Sequence, residues 1–186
     1  MSHLRLVASQ PRPKGLRGPV DDPCLEAFRN DLNYLLRSLR RLGVPRDDVE
    51  DVAHEVFLVL HNTWDKYDST RPFRAYLFGV AFRVASNFLR KSRREVPRAF
   101  VEVCDLRQRP DQALEASQRR ALVLRALDRV PMPRRAVLIM HDIDGLEMNE
   151  VAAALSIYRF TGYSRLRKAR SEFAAAVKSL IGGSEP

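Results

Sequence analysis

The sequence predicts an all-α protein: two small helical domains joined by a flexible linker, the second a helix-turn-helix. Three observations carry this. Apolar residues recur every three or four positions through most of the 186-residue chain. Strand signals are absent. The periodicity fails over residues 97–117, where Pro97, Pro110 and polar side chains dominate. The chain then divides into a basic flexible tail (1–21), a helical domain (22–96), the linker (97–117), a second helical domain (118–181) and a short tail (182–186).

The first helix is expected from about Asp22 to Leu42, with Leu25, Phe28, Leu32, Leu35, Leu39 and Leu42 as its apolar stripe. Asp21 or Asp22 can cap it, Pro23 suits the first turn and Gly43 the C-terminal stop. The second runs from about Pro45 to Asp65 and buries Val49, Val52, Ala53, Val56, Phe57 and Leu60. Its early turns are acidic. Carboxylates in a first turn favour the helix dipole, which accounts for Asp47 and Asp48 but not for Asp51 and Glu55. A polar loop, Lys66 to Arg71, precedes a third helix from Pro72 to about Arg94, whose buried stripe is Phe73, Leu77, Val80, Ala81, Val84 and Phe88. Tyr76, Arg83, Asn87 and Arg90 share another face of that helix. An aromatic ring above cations can stack bases and meet phosphates, although an ordinary solvated basic face fits the same pattern.

Beyond the linker, Leu122 to Val130 and Pro133 to Asp142 read as helices, with Asp144-Gly145 as a turn. Glu147 to Leu155 and Arg159 to about Leu180 follow, separated by Ser156-Ile157. Two short helices, a tight turn and a basic helix form a helix-turn-helix pattern. In the last helix Gly162, Leu166, Ala169 and Phe173 share the packing face. Thr161, Ser164, Arg165 and Lys168 lie on the other side, where they can enter a major groove.

Charge agrees with a polyanion partner: the net charge is +9 and the isoelectric point about 10.1. No apolar run reaches the roughly 20 residues of a membrane span, and the N-terminus lacks a signal peptide's apolar stretch. Cys24 and Cys104 form no CxxC pair and read as reduced thiols. Catalytic and cofactor motifs fail. His54-Glu55 opens like HExxH, but Leu58 stands where the second histidine belongs, and there is no P-loop, G-x-S-x-G or G-x-G-x-x-G. No enzyme activity, metal site or cofactor is expected.

The stretch DVEDVAHEVFLVLHNTWDKYD, followed by RPFRAYLFGVAFRVASNFLRKSRR, resembles region 2 of a bacterial sigma factor. ALDRVPMPRRAVLIMHDIDGLEMNEVAAALSI with SRLRKAR resembles region 4. The two blocks, joined by a short linker, look like the extracytoplasmic-function (ECF) class over roughly Leu25 to Val177. The resemblance implies a cytoplasmic transcription initiation factor. It would bind the core RNA polymerase, through the β′ coiled coil and the β subunit. It would also hold a −35 element as duplex and a −10 element as a melted strand. Asp51, His54 and Glu55 fall where the family docks on β′, with His54 replacing the usual Gln. Asp68, Ser69, Thr70 and Arg71 match the −10 specificity loop. Tyr76 stands at the usual Trp position, and Arg83, Asn87 and Arg90 extend the strand path. Arg159, Thr161, Tyr163, Ser164, Arg165 and Lys168 would meet the −35 duplex. An anti-sigma factor is an expected partner.

Some residues depart from the family pattern. Tyr158 replaces Pro, Phe160 a small or polar residue, and Gly162 a core Val, while Glu147 stands where Ser or Thr caps the helix. The Gly and the missing cap predict a soft region 4, with Gly162→Val raising its melting temperature. The departures also leave open a sigma-like decoy with weak −35 recognition. A stand-alone helix-turn-helix regulator is the other alternative.

Overall fold

The computed structural model describes residues 22–95 and 111–182. The N-terminal tail, Val96, residues 97–110 of the expected linker, with Cys104 among them, and residues 183–186 lie outside them. The described residues are helical, in the order α1 (Pro23–Asn30), α2 (Leu32–Leu42), α3 (Val49–Asn62), α4 (Phe73–Glu95), α5 (Asp111–Asp128), α6 (Met132–Leu138), α7 (Met148–Ala154) and α8 (Arg159–Gly182).

The punctuation residues act where expected. The Asp22 carboxylate accepts from the backbone N–H of Cys24 at 2.9 Å, and Pro23 occupies the first turn. Gly43 takes φ 96° at the end of α2, where a Cβ would be strained. The expected first helix is interrupted once. Asp31 leaves helical geometry (φ −108°, ψ 12°), and its carboxylate accepts from Arg74 Nε of α4 at 2.7 Å. An aspartate makes such side-chain bonds at the expense of helix continuity. The other difference lies at α5, which begins at Asp111, inside the segment read as linker.

α1–α4 form one unit around Leu35, Leu39, Val52, Val56, Leu77 and Phe78. The same core continues without a break into Leu127, Val137, Ile139, Met140 and Val151 of the second unit. The two helical units therefore pack together. α6 runs into a π-helical turn, Ile139–Ile143, closed by Asp144 N–H donating to Ile139 O at 2.9 Å. This wide turn delivers Asp144 into the junction. There its carboxylate accepts from Tyr34 Oη at 2.8 Å and from Arg41 Nη1 at 3.1 Å. The Asp144 side chain is only 9% exposed. Burial, the largest influence, pushes its carboxyl above the ordinary range against the pull of Tyr34 and Arg41.

Two further contacts close the junction. Arg135 is buried. Its guanidinium donates to Leu42 O of the first unit at 2.8 Å and, in its own unit, to Val130 O, Asp128 O and Asp128 Oδ1 at 2.8–3.0 Å. A planar five-donor fork suits several acceptors at once. Gly79 of α4 meets the C-terminal end of α7 so closely that a Cβ there would lie 2.5 Å from Ala154 O. Only glycine fits this crossing.

Candidate functional site

Three surfaces stand out, each built by a different helix. The first is the outer face of α3. Its inner stripe, Val52, Ala53, Val56 and Leu60, is buried. At helical spacing this turns Asp51, His54 and Glu55 outward, and all three are exposed. None of the three makes an ion pair among the described residues. Leu58, one turn past His54, continues the face and is 48% exposed. The result is an acidic ridge ending in an apolar contact, with its carboxylates available to a cationic partner.

The second surface is the loop before α4 and the cleft beside it. The loop folds on Asp68: one carboxylate oxygen accepts from Thr70 N–H at 3.0 Å and from Thr70 Oγ1 at 2.6 Å. Those bonds, chiefly the one from the Thr70 hydroxyl, hold the Asp68 carboxyl below the ordinary range. The backbone closes as a turn, with Arg71 N–H donating to Asp68 O at 3.0 Å, and Tyr67 Oη donates to Arg71 O at 3.0 Å. Ser69 and Arg71 remain exposed at the tip. The loop is thus set in shape by its own side chains.

Tyr76 is half-buried and is not an open stacking platform. Its hydroxyl donates to Thr63 O at 3.1 Å, and its ring lies 5.1 Å from Tyr67. Together they edge a cleft of about 510 Å³. Lys66, Thr70 and Arg83 line one wall, and Asn149, Glu150 and Ala153 of α7 line the other. Asn87 and Arg90 stand further along α4, outside the cleft, with Arg90 Nη2 donating to Asn87 Oδ1 at 3.0 Å. The structure therefore brings the loop, Tyr76 and Arg83 together and leaves the other two residues as an exposed extension. Lys66 and Tyr67, which open the polar loop but carried no binding expectation, also line the cleft; their place within the loop, directly before Asp68, was the available signal.

The third surface is the N-terminal half of α8. The turn before it holds Ser156 at φ 53°, a region that favours glycine. Gly162, Leu166 and Ala169 are buried. At about 100° per residue, the direction opposite them runs along Phe160, Ser164 and Arg167. Of the expected reading face, Ser164 and Lys168 point outward, while Thr161 and Arg165 sit half-buried on its shoulder. Tyr163 is 50% exposed on the other shoulder. Arg159 lies over the Phe160 ring, 5.7 Å from its centroid. Not every cation is available. Arg170 is held by Asp142 through two bonds of 2.7–2.8 Å.

The two grounds for the expected softness of this unit, a void at Gly162 and an uncapped α7, are absent from the structure. No void is left at Gly162, because Met148, 1% exposed, fills the space. A Cβ at residue 162 would lie 2.4 Å from the Met148 sulfur. The helix continues through the position, with Gly162 N–H donating to Tyr158 O at 3.0 Å. The start of α7 is also capped, since Glu150 reaches back to accept from Glu147 N–H at 2.9 Å.

Among the described residues no His, Cys, Asp or Glu cluster could hold a metal ion, and no helix is long and apolar enough to cross a membrane. Burial raises the Cys24 thiol to about 11, a packed and unreactive state.

Residues 27–95 match the family model of Sigma-70 region 2. Over 159 residues the chain is 26% identical to the ECF RNA polymerase sigma-E factor of Escherichia coli (strain K12), covering 80% of this chain and 83% of the relative. It is also 26% identical to the RNA polymerase sigma factor NccH of Alcaligenes xylosoxydans xylosoxydans, covering 78% and 81%. Two solved structures share the fold. CnrH in complex with the cytosolic domain of CnrY aligns with a TM-score of 0.61 at 23% identity, covering 87% of this chain and 89% of that one. The sigma factor RpoE of Bartonella quintana, in complex with the anti-sigma factor NepR, aligns with a TM-score of 0.61 at 20% identity, covering 82% and 98%.

Proposed function

We propose that this chain, which belongs to the sigma-70 family and to its ECF class, binds the core RNA polymerase and directs it to promoters. It acts in the cytoplasm without catalysis of its own, by recognition and strand opening. The observation that supports this best is the placement of complementary surfaces within the Sigma-70 region 2 match. The acidic ridge of α3 and the Asp68 loop both lie inside residues 27–95, and a cationic helix presents itself separately on α8.

In this reading Asp51, His54, Glu55 and Leu58 dock on the β′ coiled coil. The Asp68–Arg71 loop and its cleft take a base extruded from the −10 strand. Extrusion costs a few kcal/mol, so it favours a strand that is already opening. Arg83, then Asn87 and Arg90, follow the phosphates along α4. Ser164, Lys168, Arg165, Arg159, Thr161 and Tyr163 hold the −35 duplex. α7 lines one wall of that cleft, so its position sets the room available to the base.

The test is holoenzyme assembly. Asp51→Arg reverses a charge on an exposed residue, so the fold should survive. Core polymerase binding should fall at least tenfold, the scale of a reversed interfacial charge of about 1.4 kcal/mol or more. Unchanged holoenzyme formation by a folded Asp51→Arg protein would remove α3 from the interface.

A further inference from the structure

The start of α8 carries an unusual concentration of exposed aromatic surface. Tyr158 is 85% exposed, Phe160 79% and Tyr163 50%. The fold does not require it, because these rings contribute nothing to the core, and solvated phenylalanine carries a standing solvation penalty. Phe160 also occupies the outermost line of the helix, opposite buried Gly162 and Ala169. It lies in the first turn, the part of a recognition helix that reaches base edges.

The occupant follows from charge. From Tyr158 to Arg170 the chain has no carboxylate and carries Arg159, Arg165, Arg167, Lys168 and Arg170. Arg159, Arg165, Arg167 and Lys168 make no ion pair among the described residues. An aromatic patch set among uncompensated cations fits a polyanion. In a DNA major groove the apolar feature within reach is the 5-methyl group of thymine, which phenylalanine contacts. We propose that Phe160 is a specificity-determining residue that packs on the 5-methyl group of one thymine in the −35 element. Arg159, parked over the Phe160 ring, steadies it and moves to an adjacent phosphate. This assignment rests on the promoter-binding reading and adds a base preference to it.

The experiment uses the full chain assembled with core polymerase. A duplex promoter fragment recovered by that holoenzyme from source-genome DNA has each upstream-element thymine replaced, one at a time, by deoxyuridine. This removes only the methyl group. At one position the wild-type holoenzyme should bind about three- to fivefold more weakly, the scale of one buried methyl. Phe160→Ala holoenzyme should bind the unmodified fragment more weakly and show no response to uracil at that position. Because Phe160 is so exposed, its alanine variant should melt as the wild type does. No uracil effect at any thymine would overturn the proposal. So would an effect that persists in Phe160→Ala, or full promoter affinity in that variant, which would mark the patch as a protein contact. Failure of the wild-type holoenzyme to recover any fragment would sink the promoter-binding reading itself, and this proposal with it.

Discussion

Replacing Gly162 with valine tests how the second unit is packed. The structure places the Met148 sulfur 2.4 Å from where a Cβ would stand, with Met148 Cγ at 3.5 Å and Cε at 3.8 Å. Carbon and sulfur rest about 3.5–4.0 Å apart, so the thioether must shift by roughly 1 Å for the first added atom alone. Valine adds two more methyl groups to a helix face that is already filled. Against this, removing glycine from a helix interior gains at most about 1 kcal/mol, and less for a β-branched residue. Overpacking of this kind costs about 1–3 kcal/mol. Gly162→Val should therefore destabilise by about 1–2 kcal/mol. Met148→Ala alone should cost about 2–5 kcal/mol through the void it leaves. In the double variant the valine enters that void, so the combined cost should fall below the sum by at least about 1 kcal/mol. The assay is urea unfolding of the full chain followed by helical circular dichroism, run as a double-mutant cycle. A Gly162→Val protein more stable than wild type, or a coupling indistinguishable from zero, would refute the claim that Met148 replaces the missing side chain.

Three other outcomes follow from the junction and the turn. Gly79→Ala places a methyl 2.5 Å from Ala154 O, a backbone atom that cannot swing aside. It should lower stability by about 1–3 kcal/mol and accelerate amide exchange at both α4 and α7, whereas unchanged exchange at α7 would show that the helices tolerate separation. Ser156→Gly should stabilise by about 1 kcal/mol, because a left-handed backbone strains any residue with a Cβ; no rise in the urea midpoint would contradict this. Asp144 provides the pH test. Its folded pKa lies above its unfolded value, so the folded state binds more protons between the two, and stability associated with this group rises as pH falls through the folded value. The stability difference between wild type and Asp144→Asn should therefore shift in favour of wild type on acidification toward the ordinary carboxylate value of about 4. A difference that stays flat across that window, or moves the other way, would mean Asp144 is not desolvated at the junction.

Much of the fold was legible because its signals are local. The stripe Leu35, Leu39 and Leu42, the Asp22 cap, the Gly43 stop and the tight turn before α8 each lie within a few residues of what they control. The acidic ridge was only partly legible: Glu55 does lie beyond the first turn, but α3 starts at Val49, so Asp51 falls in its first turn, where the helix dipole alone accounts for a carboxylate. The junction was not legible. Tyr34 meets Asp144 across 110 positions, Arg135 meets Leu42 across 93, and the need for glycine at residue 79 comes from a backbone 75 residues away. None of these leaves a periodic trace. Gly162 misled for a related reason: its neighbour Met148 sits 14 residues earlier on another helix, so the size exchange is visible only in space. On α8 the packing face of Gly162, Leu166 and Ala169 was legible from its spacing, but the direction opposite it runs nearer Phe160, Ser164 and Arg167 than the Thr161, Ser164, Arg165 and Lys168 line, which leaves Thr161 and Arg165 half-buried.

The central claim is that this chain gives the core polymerase its promoter choice. The most direct measurement is transcription in vitro with bacterial core polymerase, the full chain and fragmented source-genome DNA, with RNA 5′ ends mapped. The account predicts start sites that appear only when the chain is present and share two spaced upstream elements, the distal one containing thymine. Polymerase that binds the chain but starts at no defined site, or that ignores it altogether, would contradict the account.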